Sequence, residues 1–145
     1  MVPAGRSVAD IGTGDGKLAA WLSGRGHRVV ATENKGGPRL IARRLLEPLG
    51  VECRLGEGLL PIAPGEVEVA VIAGMGGGSI GRILAASPEV VSSLEALVLQ
   101  PMQRGEELLA ALLSAGYRQE AGREVRQGSH VYAALLLLPP YSTAR

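Results

Sequence analysis

The chain has 145 residues, 46% of them apolar and 20% charged, a length and balance that suit one globular domain and exclude a disordered chain. Phe is absent and aromatics make up 3%, so the core must be built from Ala, Val, Leu and Ile, and a broad aromatic platform for single-stranded nucleic acid is not expected. The net charge of +1 gives no global attraction to nucleic acid, and the single cysteine, Cys53, excludes a disulfide framework or a Cys-based zinc site.

The elements alternate from the start. Ser7 to Ile11 is a short buried strand running into Gly12-Thr13-Gly14-Asp15-Gly16. Lys17 to Ser23 reads as a helix stopped by Gly24 and Gly26, with Trp21 expected in the core. Arg28 to Thr32 is a second buried strand ending at Glu33. Pro38 is expected at the first position of a helix ending at Gly50, with Leu40, Ile41, Leu45 and Leu46 on one side. Arg39, Arg43 and Arg44 then form its wet face, a phosphate-holding role being the less favoured alternative.

Val51 to Leu55 is a third strand and Val67 to Ala73 a fourth, leading into a Gly-rich connection, Gly74-Met75-Gly76-Gly77-Gly78. Ala96 to Leu99 is a fifth strand, and Gly105 to Ala115 a helix closed by Gly116. Tyr117 to Val125 and His130 to Leu138 flank Arg126-Gln127-Gly128-Ser129 as an antiparallel hairpin. The whole chain, residues 1–145, reads as a single α/β domain with a mostly parallel sheet and a C-terminal antiparallel hairpin.

Ligands of open parallel sheets sit at the carboxyl ends of the strands, where the first Gly-rich turn lies. A dinucleotide fingerprint would need a third Gly where Lys17 stands. The pattern is instead acid-x-Gly-x-Gly-x-Gly, from Asp10 through Gly12, Gly14 and Gly16. It resembles the first motif of class I, Rossmann-like S-adenosyl-L-methionine-dependent methyltransferases, whose ligand carries a sulfonium and an ammonium rather than a pyrophosphate. That resemblance implies a cofactor site of Asp10, Gly12, Thr13, Gly14, Asp15 and Gly16, with Asp10 and Asp15 toward the amino-acid end.

Glu33, with Asn34 beside it, stands where an acid would accept ribose hydroxyls. Glu57 and Gly58 stand where adenine would lie, although an ordinary turn accounts for them almost as well. Ala73 and Gly74 close the cofactor set. Gly74, Met75, Gly76 and Gly77, with Gln100, are the candidate acceptor pocket: small residues leave room for a flat substrate, and Met75 offers a soft apolar surface.

His27 and His130 have no partner at catalytic or metal spacing and read as structural or surface histidines, and Cys53 as a small buried hydrophobe. No metal is expected. Leu138-Pro139-Pro140-Tyr141 mimics the Pro-Pro-Tyr loop of amino-directed DNA methyltransferases, but it follows the last strand and reads as the end of the sheet.

Val8-Ala9-Asp10-Ile11-Gly12-Thr13, Gly56-Glu57-Gly58-Leu59, Val71-Ile72-Ala73-Gly74-Met75-Gly76-Gly77 and Leu99-Gln100-Pro101-Met102 together resemble the bacterial TrmK family. Gly116-Tyr117 and Val131-Tyr132 are similar as well. The resemblance implies methyl transfer to N1 of an adenine in the D-arm region of tRNA, with tRNA as partner. The family carries an Asp-His pair where this sequence has Gly14-Asp15, and it continues into a C-terminal helical domain where this sequence ends at Arg145. The expectation is therefore the S-adenosyl-L-methionine-binding domain alone. A non-catalytic cofactor-binding domain and a small-molecule methyltransferase remain alternatives. With no leader and no apolar run of about 18 residues, the expected place is the cytoplasm, without a membrane partner; oligomeric state is left open.

Overall fold

The computed structural model describes residues 1–142. Residues 143–145, the end of the expected domain, lie outside the described residues. Among the described residues, five α-helices and seven strands follow in the order β1 (Ser7–Ile11), α1 (Lys17–Gly24), β2 (Arg28–Glu33), α2 (Gly36–Leu46), β3 (Glu52–Leu55), β4 (Val69–Met75), α3 (Gly77–Ala86), α4 (Pro88–Ser93), β5 (Ala96–Pro101), α5 (Gly105–Ser114), β6 (Arg118–Gln127) and β7 (His130–Leu138), with a single 3-10 turn, Glu47–Leu49, after α2.

The strands form one sheet in the order β3-β2-β1-β4-β5-β7-β6. Neighbours from β3 to β5 are parallel, and β7 runs antiparallel to both β5 and β6. The chain leaves β1 toward β2 and later returns to its other side as β4, so the order reverses between β1 and β4. The C-terminal end of that pair is where such sheets hold ligands.

Side chains alternate across the sheet and feed two cores. On one face Ala9, Ile11, Ala70, Ile72, Leu97 and Leu99 pack under Ile80 and Leu84 of α3, Val90 and Val91 of α4, and Leu108 and Leu112 of α5. On the other, Val8, Val29, Ala31, Val69 and Val71 pack under Ala19 and Leu22 of α1 and Ala42 and Leu46 of α2. All five β1 residues are buried, as a central parallel strand covered on both faces requires. The fold class, the parallel strands and the terminal hairpin agree with the sequence reading.

Several local expectations are corrected. Helix α2 starts at Gly36 with Lys35 as its cap, so Pro38 is the third helical residue; its missing N–H still falls in the first turn, where it would have no partner. Of the four apolar residues expected on one side of α2, only Leu46 is buried, while Leu40 (55%), Ile41 (58%) and Leu45 (40%) are exposed. The line toward the sheet is Ala42–Leu46, and Ile41 and Leu45 sit about 100° round the helix from it. Trp21 is not in the core: it is 55% exposed, one position off the sheet-facing Leu22, and the Arg25 guanidinium lies 4.5 Å from its ring centroid.

The Gly74–Gly78 stretch is not a free connection. Gly74 and Met75 end β4, Gly76 caps α3, and Gly77 and Gly78 form its first turn. Strand β4 begins at Val69 and β3 at Glu52, and α3 and α4 occupy a span that the sequence left without elements.

Candidate active site

Where β1 and β4 diverge, a cavity of about 150 Å³ is lined by Gly12, Asn34, Gly56, Glu57, Gly58, Met75, Ser79 and Ile83. Five of these are expected site residues; Gly56, Ser79 and Ile83 are additions. Ser79 and Ile83 lie one turn apart on α3, so the i, i+4 spacing is the signal that brings them to one face.

Gly12 makes the cavity possible. Its φ of +67° lies in the left-handed region that disfavours side chains, and a Cβ built there would stand 2.3 Å from Met75 Cε. The two residues therefore meet across the gap between β1 and β4; the Met75 methyl can swing aside, so it is the left-handed backbone that ties this position to glycine.

Behind the cavity, the first turn is tied down by side chains. Glu33 is 6% exposed; its Oε1 accepts the Gly14 amide at 3.0 Å and its Oε2 the Lys35 amide at 3.0 Å. The Thr13 amide donates to the Thr32 carbonyl at 2.9 Å, and its hydroxyl donates to Asp10 Oδ2 at 2.7 Å. Burial pushes the Asp10 carboxyl up to about 6, against the Thr13 hydrogen bond that favours its ionised form, and the Glu33 charge adds to the rise.

Gly16 packs against Ala42 and Leu46 of α2. Asp15 faces solvent, its Oδ1 accepting the Lys17 amide at 3.1 Å and its Oδ2 standing 3.2 Å from the Lys17 ammonium. The Lys17 amide and ammonium hold its carboxyl below the usual range.

The adenine-side turn hangs from β2 and β3. The Thr32 hydroxyl donates to the Gly58 carbonyl at 3.1 Å and the Gly56 amide to the Glu33 carbonyl at 3.0 Å. Arg54 adds a clamp: its Nη1 donates to Pro61 O at 2.8 Å and to Glu66 Oε1 at 2.8 Å.

On the acceptor side, the β4–β5 register shifts between Ala73 and Met75. The irregularity falls at Gly74, whose amide donates to Gln100 Oε1 at 3.0 Å. Gln100 Nε2 in turn donates to Met102 Sδ at 3.4 Å. The Met102 amide donates to the Met75 carbonyl and the Gly77 amide to the Gln103 carbonyl, both at 2.8 Å, stitching the ends of β4 and β5 together. Gly76 caps α3 beside Gln103, while Ala73 lines a cleft on the opposite face of the sheet, with Trp21 and Val98.

The remaining singled-out residues lie away from this cavity. His27 Nδ1 donates to the Arg6 carbonyl at 2.9 Å, and His130 stacks on Tyr132. Cys53 is buried, and that burial raises its thiol. Arg39 is half-buried against β3, whereas Arg43 and Arg44 are exposed. Among the described residues, no group of three or more His, Cys, Asp or Glu side chains could hold a metal ion, and no helix is long and apolar enough to cross a membrane.

A family model described as a methyltransferase domain matches residues 1–135. Over 106 residues the chain is 37% identical to the tRNA (adenine(22)-N(1))-methyltransferase of Bacillus subtilis, spanning 69% of this chain and 44% of that relative. The chain thus spans less than half the length of the curated relative it matches. Among solved structures, the B. subtilis m1A22 tRNA methyltransferase TrmK superposes with a TM-score of 0.85 at 30% identity, covering 95% of this chain and 62% of that one. A Streptococcus pneumoniae protein, described as a candidate tRNA (m1A22) methyltransferase and solved in complex with S-adenosyl-L-methionine, superposes with a TM-score of 0.88 at 28% identity. The match covers 97% of this chain and 69% of that one.

Proposed function

The chain belongs to the methyltransferase-domain family, and from that membership we propose that it binds S-adenosyl-L-methionine and methylates N1 of an adenine in tRNA. The observation that carries the reading is the cavity at the β1–β4 divergence, floored by Gly12 and Met75 and backed by Glu33. The similarity to TrmK enzymes supports the cofactor and the tRNA substrate alike, and a tRNA substrate is consistent with a cytoplasmic activity.

The residues present fit such a cofactor. A site for a zwitterionic, sulfonium-bearing ligand needs buried negative charge without a pyrophosphate nest; here Asp10 and Glu33 lie under the turn. Each Glu33 oxygen accepts one backbone amide and so keeps a lone pair, leaving this carboxylate able to accept from ribose hydroxyls. Asn34, Glu57 and Gly58 would border the adenosine, with Asp10 and Asp15 toward the amino-acid end. When bound, S-adenosyl-L-methionine supplies an electrophilic methyl group, which a neutral ring nitrogen takes without first losing a proton.

The chain's own contribution is placement, which can supply a large share of a barrier reduction. The Gly74–Gln100 hydrogen bond fixes the rim at which a flat base would enter. Met75 gives that base an apolar surface, and Gly76 and Gly77 keep the rim free of side chains. The target adenine must leave its stack to reach the cavity.

Titration calorimetry with S-adenosyl-L-methionine against NAD, followed by nucleoside analysis of treated unmodified tRNA, tests the proposal. Binding of the first ligand only, with appearance of 1-methyladenosine, is expected. Preference for NAD would overturn the cofactor assignment, and cofactor binding without transfer would overturn the tRNA assignment. Gly12→Val should abolish cofactor binding because a β-branched residue cannot hold the φ of +67° that this turn requires.

A further inference from the structure

The β6–β7 hairpin carries a feature that the cavity does not use. Strand β7 pairs with β5 only through Leu135, Leu136 and Leu137, whereas its pairing with β6 continues to His130 opposite Gln127. At about 3.3 Å per residue, the tip reaches about 16 Å past Leu135. Because β7 is antiparallel to β5, that overhang points toward the rim where the cavity opens. Tyr132 and Ala133 share a cleft there with Pro101, Met102 and Gln103. Met102 also accepts the hydrogen bond from Gln100, so the hairpin abuts the acceptor side of the site.

On this overhang the His130 and Tyr132 rings stack, with centroids 6.0 Å apart and planes 23° from parallel. Two residues apart on a strand, they share one face. The pairings Arg123–Ala134, Val125–Tyr132 and Gln127–His130 put Arg123, Val125 and Gln127 on that same face, with no carboxylate among them. The nearby acid, Glu124, lies on the opposite face, 4.0 Å from Arg126.

We propose that His130 and Tyr132, with Arg123 beside them, form a stacking platform for a nucleotide flanking the methylated adenine. This rests on the RNA-methylating reading above. An everted base leaves its neighbours without a stacking partner. Paired rings accept any base on their faces, and a guanidinium whose face-sharing neighbours Val125 and Gln127 carry no charge suits the adjoining phosphate. A protein partner would have little use for two polar-edged rings and an arginine on a projecting tip, whereas an RNA strand uses all three.

The test is steady-state methyl transfer to unmodified tRNA transcripts by the wild type, H130A/Y132A, H130F/Y132F and R123A, with cofactor affinity measured alongside. The alanine pair should raise KM for tRNA about tenfold or more, with kcat and cofactor Kd held within about twofold, and the phenylalanine pair should restore most of the loss. R123A should lower the salt dependence of tRNA binding by about one counterion. A KM for the alanine pair within about twofold of wild type would overturn the platform. If the wild type binds cofactor yet methylates no tRNA, the methylation reading falls on its own. Filter binding of the same transcripts then decides the platform, equal affinity of wild type and alanine pair overturning it.

Discussion

Glu33 Oε1 accepts the Gly14 amide at 3.0 Å while Oε2 accepts the Lys35 amide at 3.0 Å, so one carboxylate fixes both the first Gly-rich turn and the entry to α2. Glu33→Gln would turn an NH₂ group toward one of these amides and lose that bond. The expected cost is about 1–3 kcal/mol of stability, with cofactor affinity reduced at least tenfold because the turn is released. Thermal unfolding and calorimetry measure the two effects. Unchanged affinity in the Gln variant would mean that cofactor binding depends neither on the Glu33 charge nor on the turn it holds.

Asp10 gives the site a pH signature. Its folded carboxyl titrates near 6, against an ordinary 3.8, so the folded state holds this proton more tightly than the unfolded chain does. Ionisation therefore weakens the fold: the penalty is absent below 3.8, grows between there and about 6, and is complete above that. A rise from 3.8 to about 6 corresponds to about 3 kcal/mol. Relative to D10N, the wild type should lose stability as pH rises from 4 to 7, while its affinity for the cationic cofactor strengthens over the same range. Parallel melting profiles for the two proteins would show that Asp10 does not titrate in this window.

Gly77 carries its role in its backbone. A Cβ there would stand 2.5 Å from the Arg104 carbonyl oxygen, a main-chain atom held in a short connection. Gly77→Ala should therefore destabilise the protein by about 1–3 kcal/mol and lower methyl transfer by displacing α3 with Ser79 and Ile83. A melting temperature equal to that of the wild type would show that the connection yields freely.

Glu66 anchors the adenine-side turn through Arg54, which holds its carboxyl down to about 2. A depressed pKa contributes stability that is present above the ordinary value of 4.5 and is lost as pH falls through about 2. Glu66→Gln should therefore be less stable than the wild type at pH 7, with the gap closing toward pH 2. Urea unfolding across that range checks this, and a gap that stays constant would assign the loss to packing instead.

The sequence shows the central parallel strands well because they are short, largely aliphatic runs bounded by glycine or an acid, as at Val8–Ile11 and Val29–Glu33. It also shows Gly12, Asn34, Glu57, Gly58 and Met75, five of the cavity-lining residues. Helix α3 is not legible in the sequence because Gly76-Gly77-Gly78 looks like a loop on propensity alone. Tertiary packing of Ile80 and Leu84 overrides that preference, and Ser79 and Ile83 went unseen with the helix. On α2 the apolar residues outnumber the sheet-facing positions, so composition could not tell Leu46 from Leu45. Nor could spacing alone show that each Glu33 oxygen accepts a backbone amide.

The direction of β7 settles how this molecule can be handled. Its last residues pair beside the beginning of β5, Leu137 opposite Leu97, and Ser142 donates to the Glu95 carbonyl at 2.8 Å. The described chain therefore leaves at the rim opposite the cavity mouth. A fluorophore attached at Ser142 itself sits a full strand length from the ligand entrance, while the same label in the loop between Gln127 and His130 would overhang it.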